Sequence, residues 1–274
     1  MIIDFHTHNF PDKIASSVIA KLEASGGTKA STDGTLDGLK RSMKKAGIDY
    51  SVVLPVITAP KQFDTVNRYA AETNGKDGII SFGGIHPDND DVESKLDLIK
   101  ELGLPGIKFH PDYQGVYIDD ERYIRIIRYA VSIGLYVTTH AGFDPAYPDI
   151  IRCTPERALK MLDRVYDGKE PDEPRIILAH LGSLDETDKV IEMIAGKNLY
   201  LDTAVMLDRI PEEKILKLIR KHGADKILFA TDCPWADQKK FVSIINSLDL
   251  TDSERSLITH KNAINILKKH NIAF

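Results

Sequence analysis

The sequence predicts a closed (β/α)8 barrel, a TIM barrel, with one extra helix at its C-terminus and a single domain over residues 1–274. Three observations predict it. Short apolar runs rich in Ile, Val and Leu recur eight times, each followed by a helical pattern. Strands buried on both faces read this way because neither face meets water, and eight such units with helical crossovers close into a barrel. The chain length lies within the range of one such barrel. No Gly-x-Gly-x-x-Gly turn follows the first run, which disfavours an open doubly wound sheet.

The first strand is the opening stretch from Ile2 to His8. Phe10-Pro11-Asp12 then turns the chain into a helix over Lys13 to Ala24, and Leu36 to Ala46 forms a second helix that stops at Gly47. The second strand is Asp49 to Val56, followed by a helix from Gln62 to Thr73. The third is Ile79 to Ile85, followed by a helix from Val92 to Leu102 with Leu96, Ile99 and Leu102 on one face. Gly106 to His110 and Leu135 to His140 are strands four and five; their helices run from Asp119 to Ser132 and from Pro155 to Tyr166. Thr154 caps the latter, with Pro at its first position. Strand six, Arg175 to His180, precedes a helix from Leu184 to Ala195, and strand seven, Leu199 to Ala204, one from Pro211 to Lys221. Lys226 to Asp232 is the eighth strand, Gln238 to Ser247 its helix, and Asp252 to Lys269 the extra one.

Composition narrows the function classes. Hydrophobic residues make up 42% and charged residues 28%, as in an ordinary soluble domain. The net charge of −5 is spread without a basic stripe, which argues against nucleic acid as the main partner. No apolar stretch is long enough to span a bilayer. Asp4 and His6 interrupt the opening run, which does not read as a signal peptide. Cys153 and Cys233 are too few for a disulfide framework, so a reducing cytoplasm is the expected location. The expected partner is a small-molecule substrate, with a homodimer left open.

The polar residues gather at strand ends. Side chains two apart on a strand point the same way, so His6 and His8 project together, a ready pair of metal ligands. His110, His140 and His180 end strands four, five and six, Asp232 ends strand eight, and His86 follows strand three. In such a barrel the C-terminal strand ends share one mouth, where function collects. Alternation places His140 with Tyr136 and Thr138, His180 with Ile176 and Leu178, and Asp232 with Leu228 and Ala230, each as the last inward layer. A bound cation removes the desolvation cost of such buried groups. His222, His260 and His270 fall on helices or in the tail and are assigned surface or capping roles. The alternation also turns Cys233 outward, against a nucleophilic role.

The segments Asp4-Phe5-His6-Thr7-His8, GIKFHP (106–111), VTTHAG (137–142), ILAHLG (177–182) and FATDCPW (229–235) resemble the amidohydrolase superfamily. The likeness is to its amidohydrolase-2 branch, which includes aminocarboxymuconate-semialdehyde decarboxylase, and it extends to Lys261-Asn262-Ala263. The resemblance implies one divalent metal on His6, His8, His140 and Asp232, zinc by preference, with Mn²⁺, Fe²⁺ or Co²⁺ compatible with the donors. It also implies that His180 handles protons. Lys108 stands on strand four, where some relatives carry a bridging carboxylated lysine, although this branch works with one metal. Several decarboxylases of the branch begin Glu-x-His where this chain has His6-x-His8.

The leading functional expectation is therefore a metal-dependent hydrolase. Water on a catalytic zinc falls in pKa from ~15.7 to about 7 and attacks the carbonyl carbon of a small amide, lactone or ester. His180 and Asp232 move the proton, and Lys108 and His110, on one face of strand four, meet the substrate, holding a carboxylate. The alternative is a lyase that decarboxylates a small unsaturated or aromatic acid without oxidation. A phosphoesterase beginning with His-x-His fits less well, because strand four offers no acidic metal ligand.

Overall fold

The computed structural model describes residues 1–270, 272 and 274. Nine short parallel strands alternate with helices: β1 (Ile3–Thr7), α1 (Asp12–Gly26), α2 (Leu36–Ala46), β2 (Tyr50–Val53), α3 (Phe63–Thr73), β3 (Ile79–Ser81), β4 (Gly83–Gly84), α4 (Val92–Glu101), β5 (Gly106–Phe109), α5 (Pro111–Gln114), α6 (Glu121–Ser132), β6 (Tyr136–Thr139), α7 (Pro155–Val165), β7 (Ile176–Leu178), α8 (Thr187–Met193), β8 (Tyr200–Asp202), α9 (Glu212–His222), β9 (Ile227–Leu228), α10 (Gln238–Ser247), α11 (Asp252–Ser256) and α12 (Asn262–Leu267). Strands β3 and β4 are one barrel stave interrupted at Phe82, whose N–H donates to the Val53 carbonyl of β2. The ladder runs β1-β2-β3 and then β4 through β9 in sequence order. Phe5 N–H donates to Phe229 O at 2.9 Å and Asp232 N–H to His6 O at 2.8 Å, so first and last staves join and the barrel closes.

The helices begin where capping chemistry allows. Thr35, Asp120, Thr154 and Asp237 each accept a backbone N–H in the first turn of α2, α6, α7 and α10. Each such cap is worth about 1 kcal/mol. Glu212–His222 shows the resulting division of faces: Ile215, Leu216, Leu218 and Ile219 are buried, and the charged residues remain outside.

Two apolar layers result. Ile3, Phe5, Val52, Leu54, Ile80, Phe82, Tyr136, Ile177 and Leu228 fill the barrel interior. Ile107, Phe109, Val137, Ile176, Leu178 and Ile227 point the other way, into the layer shared with the helices. Ala263, Ile266 and Leu267 join the interior cluster, and Asn262 donates to the carbonyls of Ala224 and Ile227. The C-terminal segment therefore covers the N-terminal end of the strands and leaves the opposite end for the site.

Three expectations need correction. The final helix is not continuous: a π-turn at Leu257–Lys261 separates α11 from α12. The helix after strand six is shorter, Thr187–Met193, because His180–Gly182 forms a tight turn first. His222 is buried, not at the surface: Nε2 donates to Leu199 O at 2.9 Å and Nδ1 accepts the Gly196 N–H. Cys233 lies, as the alternation has it, in the layer shared with the helices and not in the barrel interior; it is buried, and burial pushes its thiol up to about 12, the wrong direction for a nucleophile. Among the described residues, no helix is long and apolar enough to cross a membrane.

Candidate active site

The site lies where β1, β5, β6, β7, β8 and β9 end. In β1 the pairing with β2 shifts between Asp4 and Thr7. Such a bulge re-aims side chains: Ile3 and Phe5 face the interior, and His6 turns inward as well. His6 Nδ1 donates to Asp202 Oδ2 at 2.8 Å, and its Nε2 accepts from Lys108 Nζ at 3.0 Å. His8 Nδ1 donates to Leu54 O at 2.8 Å, while its Nε2 lies 3.0 Å from Asp232 Oδ1. The same Asp232 oxygen is 3.4 Å from His6 Nε2. Donor atoms of His6, His8 and Asp232 all fall within 4.8 Å of one another.

Hydrogen-bond bookkeeping tests whether this triad suits a cation. A neutral imidazole has one N–H. His6 uses its proton on Asp202, and His8 uses its proton on the Leu54 carbonyl, so both Nε2 atoms are bare lone pairs. Each faces an ionised Asp232 oxygen, an arrangement that repels unless positive charge lies between. The Lys108 ammonium already supplies one such charge against His6. Two imidazoles and a carboxylate, locked by outer partners, are the donors a divalent transition metal takes, and the residues fit one.

Burial governs the electrostatics. It lowers the pKa values of His6, His110, His140 and His180, keeping the rings neutral and able to ligate. Burial pushes the Asp232 carboxyl up; positive charge on the side of His6 and His8, where a cation would sit, outweighs it and holds the group below the usual carboxylate range. Burial draws Lys108 down to about 8, against the upward pull of Asp202 and Asp232, so it remains charged at neutral pH.

His140 stands apart from the triad. Its Nδ1 is 2.9 Å from His180 Nε2, its ring stacks on His110 at 4.1 Å with 11° between planes, and its Nε2 lies 3.8 Å from Asp112 Oδ2. His180 reaches the site by an unusual route. Strand β7 ends at Leu178, and His180 and Leu181 take left-handed backbone at φ 60° and 50°. Two bonds hold this strained turn: His180 N–H donates to Asp202 Oδ1, and its Nδ1 donates to Ala204 O. Asp232 likewise sits at φ 73°. His86 lines a turn, accepting the Asp88 N–H at Nδ1.

Several residues of the site escaped the sequence reading. Asp202 orients both His6 and His180; β8 ends on it, two residues before the expected end at Ala204, and the signal that would have found it is a carboxylate inside an apolar strand. Asp112, Tyr113 and Gln114 sit on α5, too short to leave a periodic signal, and Gln114 ties the carbonyls of Ile57 and Ile85 to the mouth. Asp144 and Tyr147 lie in the loop after β6; Asp144 meets His110, and Tyr147 meets Tyr113 edge to face at 5.2 Å.

Residues 3–269 match the family model described as Amidohydrolase. Among curated proteins nothing matches. Solved structures similar in fold include 2,6-dihydroxybenzoate decarboxylase from Rhizobium, 18% identical with a TM-score of 0.73, covering 98% of each chain. Another is 5-carboxyvanillate decarboxylase from Sphingomonas paucimobilis, 15% identical with a TM-score of 0.69, covering 97% of this chain and 98% of that one. A third is a dihydroxybenzoic acid decarboxylase from Polaromonas with bound manganese and the inhibitor 2-nitroresorcinol. It is 17% identical with a TM-score of 0.70, covering 97% of this chain and 96% of that one. At such identities the likeness establishes the barrel fold.

Proposed function

Because the chain belongs to the amidohydrolase family, we propose that it is a metal-dependent, non-oxidative decarboxylase of a small aromatic carboxylic acid. The observation that carries this reading is the His6–His8–Asp232 triad with the Lys108 ammonium buried against it. A fixed cation beside a metal site complements an anionic carboxylate better than a neutral amide or ester. The decarboxylase activity of proteins with the same fold supports it, so decarboxylation replaces hydrolysis as the leading reading.

His6, His8 and Asp232 would hold the ion, with His140 carried over from the family resemblance as a fourth ligand. A divalent ion bound there supplies Lewis acidity to a substrate oxygen; the donor set accepts manganese as well as the zinc that its imidazoles favour. The chain's own groups do the rest. Lys108 offsets the charge of the carboxylate, and the rings of His110 and Tyr113, packed edge to face at 4.4 Å, line the mouth beside it, with Tyr147 behind Tyr113. Loss of CO₂ from an aryl carboxylate leaves a proton to be delivered to the same carbon. His180 is placed to carry it: its Nε2, a lone pair beside His140 Nδ1, takes up a proton from solvent and passes it to the carbon, while the ring is pinned through Ala204.

The test is Mn²⁺-loaded protein with hydroxylated benzoates such as 2,6-dihydroxybenzoate and 5-carboxyvanillate, following CO₂ and the decarboxylated arene. Release of both is expected. His180→Asn should lower turnover about 10²–10⁴-fold with metal retained. One observation favours hydrolysis as the second reading, the His6-x-His8 pair where several decarboxylases have Glu-x-His. Ring opening of lactones or cyclic amides, with carboxylated arenes untouched, would decide for it.

A further inference from the structure

We propose that Asp112 is a positioning residue for the metal centre: its Oδ2 accepts a hydrogen bond from Nε2–H of His140, so that Nδ1 of that ring presents a lone pair to the ion held by His6, His8 and Asp232. Asp112 is buried in the first turn of α5, directly after β5. The inference rests on the metal centre proposed above, with His140 as its fourth ligand.

The hydrogen bonds show why a positioning group is needed. The Ala204 carbonyl can only accept, so His180 Nδ1, 3.1 Å away, carries that ring's proton. His180 Nε2 is then a lone pair, and His140 Nδ1 at 2.9 Å donates to it. His180 in turn packs against His6, with 5.5 Å between ring centroids, so Nδ1 is the His140 nitrogen on the triad's side. A nitrogen that holds a proton has no lone pair to give. For Nδ1 to ligate, the one proton of the neutral ring has to sit on Nε2 instead.

An acceptor for that proton is already in place. His140 Nε2 lies 3.8 Å from Asp112 Oδ2, and both atoms are buried without a hydrogen-bond partner. The other Asp112 oxygen accepts the Arg152 backbone N–H at 3.2 Å and faces its guanidinium at 3.5 Å, so the carboxylate is anchored and Oδ2 is left over. Asp144, the other carboxylate nearby, is engaged with His110 Nε2 at 3.3 Å. A carboxylate kept only to hold Arg152 would leave Oδ2 desolvated with nothing to offset the cost. A shift of about 1 Å brings Nε2 and Oδ2 to the distance of a charge-assisted hydrogen bond. Outer carboxylates of this kind fix the tautomer and angle of a ligating imidazole and strengthen it as a ligand. The same change withdraws the Nδ1 proton from His180 Nε2, which frees that nitrogen for the proton it delivers to the carbon.

The experiment needs no substrate, so its failure is distinct from that of the decarboxylase reading. Full-length protein labelled with ¹⁵N-histidine is stripped with chelator and titrated with Zn²⁺. Proton–nitrogen spectra report which nitrogen of His140 holds the proton, and competition with a chromophoric chelator gives the zinc Kd. Zinc should move the proton from Nδ1 to Nε2. In Asp112→Asn the amide oxygen stays with Arg152 and an N–H turns toward His140, so zinc should bind about 10–100-fold more weakly. In a His140→Asn background the same substitution should weaken binding no further, because the ring it acts through is gone. A proton that stays on Nδ1 in the zinc-loaded protein, an unchanged Kd in Asp112→Asn, or equal weakening with and without His140 would overturn the role. Failure of the unaltered protein to take up zinc would overturn it together with the metal centre. Should Asp112→Asn unfold, the spectra of the unaltered protein decide alone.

Discussion

His222, remote from the site, is the single imidazole whose chemistry is most cleanly isolated. It is 2% exposed at the end of α9 and uses both ring nitrogens, donating to Leu199 O and accepting from Gly196 N–H. Protonating Nδ1 destroys the second bond and buries a charge. Burial accordingly lowers its pKa from the ordinary 6.5 to about 4. Above pH 6.5 the ring is neutral in folded and unfolded chains alike. Below it the unfolded chain takes a proton that the folded chain refuses until about pH 4, so stability falls as pH falls through this window. A shift of this size corresponds to about 3 kcal/mol at the acid end. His222→Gln keeps a donor and an acceptor but cannot titrate. Its denaturation midpoint should lie below that of the unaltered protein at pH 7, and the difference should shrink toward pH 4.5. Parallel pH profiles for the two proteins would refute the assignment.

At the scale of elements, the staves were legible because burial on both faces leaves an unbroken apolar signal, and their starts fall within one residue of expectation. What alternation could not convey is how each stave ends. Counting by twos puts His180 with Ile176 and Leu178, yet Ile177 is the interior residue of β7; the left-handed turn at His180 and Leu181 brings the imidazole round. The bulge in β1 is equally silent in sequence. The cluster of strand-end histidines could be read, because ionisable groups there stand out against apolar runs. The orientation of each ring could not, since it depends on hydrogen bonds from Asp202 and Ala204 to His180 and from His180 to His140. The loop after β6 depends on one such unread contact. Gly142 holds φ 91° and bridges to Leu184, where an added Cβ would lie 2.0 Å from the Leu184 nitrogen. Gly142→Ala therefore combines backbone strain with a backbone clash, each costing on the order of 1–3 kcal/mol. It should lower thermal stability and loosen Asp144, two residues on, and hydrogen exchange in 142–152 should rise. Unchanged exchange there would mean that the bridge does not anchor the loop.

For the whole molecule, the decisive feature is where the ion's ligands come from. His8 and Asp232 are 224 residues apart, and they flank the seam at which the first and last staves join through Phe5–Phe229 and His6–Asp232 backbone bonds. An ion on the triad is thus a clasp across the closure, spanning nearly the whole chain. The unfolded chain brings these donors together only at the entropic cost of a very long loop, so binding strongly favours the folded state. Binding to the native form alone stabilises by RT ln(1 + [L]/Kd), about 2.7 kcal/mol when free metal is a hundred times Kd. In a chain of this size that raises the melting temperature by roughly 5–10 °C. Calorimetry of chelator-treated protein titrated with Mn²⁺ should show a rise that grows with the logarithm of free metal. His8→Asn removes one side of the clasp and should flatten most of that response, while Asp144→Asn, off the seam, should keep most of it. Equal flattening in both variants would mean that the barrel is not held shut by the triad.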